Sequence, residues 1–525
     1  MKVAVRVDAS PRIGSGHLVR CVTLASELRA RGAEVIFIVR DQADGWDTRV
    51  SAAGFRLTRL PRPERDGPVA EDDYAGWLGV AQERDAEETR AAVGSGPVDL
   101  LIVDHYALDA TWERRLRPIA GRIVAIDDLA NRPHDVDVLV DQGIKPYGSN
   151  PYSELVPTSC RLLLGPGYAL LDPAFQRARK KYAQTRQTGR TLVFFGAADD
   201  YPLIKVTLEA LTQPDTGVHH IDLVIRDPLS SKEALPPNAS KNVGISVHGQ
   251  QPSLADIVAR CDVAVGAAGT AMWERMCVGV PSIVVLRAAN QRNSAEFLHS
   301  LGAVVNVGSP SQDFGKILTT SISRLACDQK QALRMRDLGR ALVDGQGLER
   351  VSEALNEGCT HEPYLRNATR DDVGTLWVWA NDPTARSQAI NSDPIEWNDH
   401  VQWFSVRISQ PSTRMYILQT VRGVAVGMIR FDLRDATAHI SYYLDAAVRG
   451  RGWGAKLIHV GLQKARSDPS FNATTFAAVV RPSNHPSRAV FERLGFSASA
   501  GRQDGKDVVR YVLGDSEVSS EPIAN

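Results

Sequence analysis

A glycine pair beside a histidine, Gly14-Ser15-Gly16-His17, joins the apolar run 3–7 to an amphipathic stretch at about 18–31 that ends at Gly32. Glycine lets a backbone come close to a ligand. A helix starting there offers unpaired N–H groups and a positive dipole end, which suit a phosphate. His17 is then a titratable ring beside the bound anion, a placement able to cut or transfer a group from a phosphorylated compound. The same residues also fit a plain strand-to-helix turn whose histidine packs or caps. No third glycine follows at the spacing of the dinucleotide fingerprint.

The elements that would hold this turn are legible around it. Short β-branched runs at 3–7, 35–39, 100–104, 122–126 and 136–140 alternate with helical stretches. That pattern reads as an α/β, doubly wound parallel sheet, with chemistry at the carboxyl ends of its strands. Asp8, Asp104-His105-Tyr106 and Asp127-Asp128 each follow a strand directly and should gather along one edge. If Asp8 reaches His17, it orients the ring and favours its charged form, as the third member of a triad does.

A second α/β unit begins near Arg190, with strands at 192–195, 222–225, 245–248, 263–265 and 283–286, and helices to about Leu355. The segment 161–182 reads as the connector. Ala267-Ala268-Gly269-Thr270 repeats the arrangement of strand, small-residue turn and helix start. Ala268, Gly269 and Thr270 would hold phosphate there. Glu274 lies one helical turn deeper and reads either as an acceptor for ribose hydroxyls or as an ordinary exposed glutamate. Asn290-Gln291 stands at the carboxyl end of the next strand.

After Tyr364 the pattern changes. Two helical stretches, 371–380 and 396–408, precede three strands at 415–420, 424–432 and 436–444, expected as antiparallel neighbours. Arg449-Gly450-Arg451-Gly452-Trp453-Gly454 then opens a helix to about Lys464, and the strand 474–480 and one more helix follow. The expected division is 1–165 and 166–357 for two Rossmann-like halves, 358–363 for a linker, 364–515 for an α+β domain and 516–525 for a disordered tail.

Lys+Arg and Asp+Glu are both 61 in 525 residues, so charge alone gives no reason to expect a nucleic-acid or membrane-surface partner. No apolar run of about 20 residues spans a membrane. The first strand begins at once, leaving no room for a signal peptide. The six cysteines lack a C-x-x-C pair and read as reduced thiols, and no metal-ligand cluster appears. A cytoplasmic, metal-free protein is the expectation, with its oligomeric state left open.

Residues 1 to about 355 resemble the UDP-sugar hydrolases of pseudaminic acid synthesis, which release 2,4-diacetamido-2,4,6-trideoxy-L-altrose from UDP. The resemblance rests on Arg6-Val7-Asp8-Ala9-Ser10 with 13–17, Val103-Asp104-His105-Tyr106, Ile126-Asp127-Asp128, 168–175, 267–275 and Asn290-Gln291. It departs at Gly196-Ala197-Ala198-Asp199, where that family more often has a second glycine and a hydroxyl residue. The resemblance implies a glycosyltransferase-B arrangement of two Rossmann-like halves and no metal. By this reading His17 is the base, Asp8 its orienting partner, and Tyr106 and Asn290 line the sugar site. Gly14, Gly16, Ala268, Gly269, Thr270, Glu274 and Gln291 contact the UDP-sugar.

The run 449–454 fits the pattern [RQ]-x-x-G-x-[GA] of acetyl-CoA-dependent N-acetyltransferases of the GNAT superfamily, and Asn484-His485-Pro486-Ser487 with 489–496 resembles their second CoA-contact motif. The resemblance implies acetyl-CoA contacts by Leu444, Arg449, Gly450, Arg451, Gly452, Gly454, Asn484 and Ser487. Many relatives carry a tyrosine acid where this chain has Phe491. The domain also looks like the pseudaminic-pathway enzymes that acetylate the 4-amino group of a UDP-linked amino sugar. The alternatives are a UDP-sugar glycosyltransferase fused to an acetyltransferase for another amino sugar, and a non-catalytic sugar-nucleotide sensor.

Overall fold

The computed structural model describes residues 1–41, 45–63, 73–94, 96–145, 150–182, 189–197, 199–228, 243–356 and 363–514. The chain divides into two compact units, one containing Met1–Lys145 and Pro151–Ser352, the other beginning at Glu353. Most of the proposed linker and the tail 516–525 lie outside the described residues.

The first unit holds two parallel sheets. One contains β1 (Lys2–Val7), β2 (Glu34–Arg40), β3 (Arg56–Leu60), β4 (Val98–Asp104), β5 (Ala120–Ile126), β6 (Val138–Asp141) and β7 (Arg161–Leu164) in the order β3-β2-β1-β4-β5-β6-β7. Its order reverses between β1 and β4, which opens a crevice at the carboxyl ends of those two strands. The second sheet contains β8 (Arg190–Phe194), β9 (His220–Val224), β10 (Gly244–His248), β11 (Val263–Ala267), β12 (Ser282–Val285) and β13 (Val305–Asn306) in the order β10-β9-β8-β11-β12-β13. It reverses between β8 and β11. The result is a pair of Rossmann-like halves in the glycosyltransferase-B arrangement, each with an apolar core of strand and helix side chains.

Three strands differ from the sequence reading. Arg161–Leu164 begins the supposed connector but pairs with β6 as the edge of the first sheet. Arg56–Leu60 alternates polar and apolar residues on the opposite edge, and Val305–Asn306 is too short to show a period.

The second unit carries one seven-stranded sheet of β14 (Tyr364–Asn367), β15 (Thr413–Gln419), β16 (Ala425–Arg434), β17 (Thr437–Leu444), β18 (Thr475–Val480), β19 (Ser497–Gln503) and β20 (Lys506–Gly514). Strands β15, β16 and β17 form the antiparallel meander. The closing hairpin of β19 and β20 is absent from the sequence reading, because β19 is exposed along nearly its whole length and carries no apolar alternation. Strands β17 and β18 run parallel and pair only at Thr437–His439 with Thr475–Ala477. Beyond His439 they part, while each stays bonded to its other neighbour.

Candidate active site

A cleft of about 710 Å³ lies in the first unit, lined by turns of both halves. That is ample for a nucleotide-sugar. On the first half, the helix Gly16–Ala30 starts at the glycine pair. Gly14 has φ +79°, a conformation that favours glycine. On the second half, the helix Thr270–Val278 starts at Gly269. The two turns face each other closely: a Cβ added to Gly16 would lie 3.1 Å from Thr270 Oγ1, and one added to Gly269 would lie 3.5 Å from Gln291 Nε2. The Gln291 side chain is itself held, accepting from the Arg287 N–H at 3.0 Å.

His17 is buried at the first turn of its helix. Its Nδ1 lies 2.6 Å from Asp104 Oδ1. Arg20, one turn along, donates to both oxygens of the same carboxylate at 2.7 Å each. Burial alone would raise the pKa of Asp104, but Arg20 and His17 hold the carboxyl well below the usual range. Asp104 is therefore a fixed anion placed to accept from Nδ1 when that nitrogen carries the ring proton, and Arg20 Nη2 is also 3.1 Å from Nδ1.

Asp8 is not the partner of His17, contrary to the sequence expectation. Val7 and Asp104 are in register across β1 and β4, so Asp8 projects to the opposite face from Asp104. There Asp8 accepts two bonds from Arg6, at 2.5 and 2.9 Å, and one from the Arg40 N–H at 2.7 Å. His105 Nε2 is 3.4 Å away. Burial opposes its charge, yet Arg6 and His105 keep Asp8 ionised well below the usual carboxylate range. Arg6 and Arg40 also meet Asp85, so Asp8 belongs to a closed ionic core beneath the site.

Tyr106 and Asn290 do meet beside His17. The Tyr106 ring stands edge-on to the imidazole at 4.6 Å between centroids. Its hydroxyl donates to Asp128 at 2.5 Å and accepts from Asn290 Nδ2 at 3.1 Å, which bonds the two halves across the cleft. Arg20 Nη1 reaches Asp128 at 3.3 Å. Glu274 is in the cleft wall, and desolvation pushes its carboxyl up to about 7 against the pull of Arg275 and Arg49. Arg275 is buried and spent on the Ala267 carbonyl, at 2.9 Å, and on Ser282.

Sequence reasoning missed three wall residues, Arg20, Tyr74 and Trp77, and the buried Asp104 behind His17. Asp104 stood in a quoted motif without a role. Arg20 lies three residues after His17, where a helix brings side chains together. Tyr74 meets Tyr106 edge-on at 5.1 Å and Trp77 lies tilted to it at 5.8 Å, on a five-residue helix too short to show a period.

In the second unit, Gly450 and Gly452 both have positive φ, +75° and +76°, and shape the turn before the helix Trp453–Arg466. Leu444 accepts through its carbonyl from Arg449 Nε at 2.9 Å. The two arginines of the motif do not point free guanidinium groups at a ligand. Arg449 pairs with Asp382 at 3.0 Å, and Arg451 donates to the carbonyls of Glu353, Ala354 and Asn356. Gly454 sits where a Cβ would come 3.3 Å from Val490. Asn484 caps the helix His485–Arg493 by accepting from the Ser487 N–H at 3.2 Å. Of the residues His439, Tyr443 and Asp445 that share a strand face by spacing, Asp445 is buried on Trp379 and Tyr443 packs in the core. Trp403 also packs in that core, and Trp397 meets Trp377 edge-on at 5.1 Å. Among the described residues no cluster of His, Cys, Asp or Glu could hold a metal ion, and no helix is long and apolar enough to cross a membrane.

Comparison with known proteins adds to this geometry. Residues 364–497 match the family model of the acetyltransferase (GNAT) domain. The chain is 27% identical over 359 residues to the spore coat polysaccharide biosynthesis protein SpsG of Bacillus subtilis, covering 68% of this chain and 98% of SpsG. It is 26% identical over 182 residues to the UDP-2,4-diacetamido-2,4,6-trideoxy-beta-L-altropyranose hydrolase of Campylobacter jejuni, covering 34% of this chain and 56% of that enzyme. Among solved structures, MurG of Acinetobacter baumannii matches with a TM-score of 0.47 at 15% identity, covering 68% of this chain and 99% of MurG. The chain thus joins a region similar to sugar-biosynthesis proteins to a GNAT acetyltransferase domain.

Proposed function

We propose that the protein is a bifunctional nucleotide-sugar enzyme of nonulosonic (pseudaminic) acid synthesis. Its second unit acetylates the 4-amino group of UDP-4-amino-4,6-dideoxy-N-acetyl-β-L-altrosamine with acetyl-CoA. Its first unit hydrolyses the resulting UDP-2,4-diacetamido-2,4,6-trideoxy-β-L-altropyranose to the free sugar and UDP, without a metal. The observation that carries the hydrolytic half is His17 in the wall of a nucleotide-sized cleft, with the buried Asp104 behind it at 2.6 Å.

In this reading His17 Nε2 takes a proton from water as the oxygen attacks the anomeric carbon. The bond from that carbon to the diphosphate oxygen breaks, and its electron pair leaves with UDP. Asp104 stabilises the imidazolium that forms. The N–H groups around Gly269 and Thr270 receive charge developing on the diphosphate. Tyr106 and Asn290 line the sugar, and Glu274 accepts from the ribose. Single displacement inverts the anomeric centre.

Incubation with the UDP-sugar alone tests the reading. Rapid release of UDP and free sugar without an acceptor supports hydrolysis. Release that requires an added sugar acceptor makes the protein a glycosyltransferase, and tight binding without turnover makes it a sensor.

A further inference from the structure

The acetyl-transfer reading leaves a chemical gap that the second unit fills. When an amine attacks the thioester, the C–N bond forms, the C–S bond breaks and the electron pair stays on sulfur. A thiolate leaving into a partly dry cleft requires a proton donor. Phe491 cannot supply one. It is buried and packed between Phe496 and Tyr511.

A phenol hydroxyl beside that position belongs to Tyr442. It lies on β17 beyond His439, in the part of the strand that has left β18. Its ring meets Phe491 edge-on at 6.0 Å, and the ring edge is 3.8 Å from the Cβ that Gly454 lacks. Tyr442 thus stands between the glycine turn and the capped helix His485–Arg493. Its hydroxyl donates to Ser487 Oγ at 3.0 Å. This bond ties β17, beyond its pairing with β18, to the first turn of the helix His485–Arg493.

We propose that Tyr442 is the proton donor to the coenzyme A sulfur, with Ser487 holding its hydroxyl until the acyl donor enters. This rests on the acetyl-transfer reading above. As the C–S bond breaks, the Tyr442 proton moves to sulfur. The proton shed by the attacking nitrogen returns to the phenolate through the Ser487 hydroxyl or solvent. The sum is acetyl-CoA plus amine giving amide plus free thiol. Burial raises the Tyr442 phenol above its usual value, with Ser487 pulling weakly the other way, so the donor is protonated at neutral pH.

The test uses the full chain and coenzyme A carrying 13C at the methylene next to sulfur. NMR then follows the titration of the bound thiol without any acceptor. A phenol hydrogen-bonded to the thiolate lowers its pKa, so Tyr442→Phe raises that pKa by about one unit. Replacing Tyr442 with 4-aminophenylalanine, a weaker donor of nearly the same shape, raises it as well. If the thiol titrates alike in the wild type and the 4-aminophenylalanine protein, the proposal is overturned, even should Tyr442→Phe fail to fold. Should the wild type fail to bind coenzyme A at all, it is the acetyl-transfer reading that falls.

Discussion

At the scale of residues, two aspartates at adjacent strand ends do different work. Asp104 is bound to His17 and Arg20, so Asp104→Asn keeps the size but removes the charge that fixes the ring proton on Nδ1. We expect kcat for UDP release to fall about 10²–10⁴-fold, with His17→Ala in the same range, and with UDP affinity by calorimetry near that of the wild type. Asp8→Asn strips a charge from the buried Arg6 instead. It should lower unfolding free energy by about 3–5 kcal/mol in urea titrations, and any loss of rate should track unfolding. The sequence placed both aspartates at one sheet edge correctly. It could not separate them, because the choice depends on a register between strands roughly 90 residues apart, and a shift by one residue exchanges the faces.

Glu274 gives a pH signature with a defined sign. Desolvation raises its folded pKa to about 7, above the unfolded value. The folded state thus keeps a proton that the unfolded chain releases, and stability falls as pH rises from the unfolded value to about 7. Glu274→Gln removes that loss. Its Tm should exceed that of the wild type by about 2–4 °C at pH 8 and match it near pH 4.5 in scanning calorimetry.

At the scale of elements, the paired helix starts shape the cleft. The Gly16 turn approaches Thr270 closely enough that Gly16→Ala places a methyl 3.1 Å from Thr270 Oγ1. That should raise KM for the UDP-sugar about tenfold by holding the two turns apart, while Tm shifts little because the contact spans a cleft and not a core. The strands that carry these turns were legible because they are short, β-branched and buried on both faces. Among the missed strands, Arg56–Leu60, Arg161–Leu164 and Ser497–Gln503 are edges that each face solvent on part of their length, so their composition resembles loops, whereas Lys506–Gly514 lies between β18 and β19. The glycine motif before Trp453–Arg466 was found from its spacing. The fate of its arginines was not, because Asp382 and the carbonyls of residues 353–356 come from distant sequence.

At the scale of the whole molecule, the cleft with His17 and the glycine turn before Trp453 belong to two different compact units, to which the proposal assigns one chemistry each. His17→Ala should therefore abolish UDP release yet leave acetyl transfer to the amino sugar unchanged. Mass spectrometry would show an acetylated UDP-sugar accumulating when acetyl-CoA and the 4-amino UDP-sugar are supplied. Loss of both activities in that variant would mean that the two sites depend on each other.

The account turns on water attacking carbon and not phosphorus. The most direct measurement is hydrolysis of the diacetamido UDP-sugar in 18O-labelled water, followed by mass spectrometry of the UDP released. Cleavage at the anomeric carbon predicts UDP without label, and an axial-to-equatorial or reverse change at that carbon in the first NMR spectra of the sugar. A heavy oxygen in the terminal phosphate of UDP would place the attack on phosphorus and contradict the role assigned to His17.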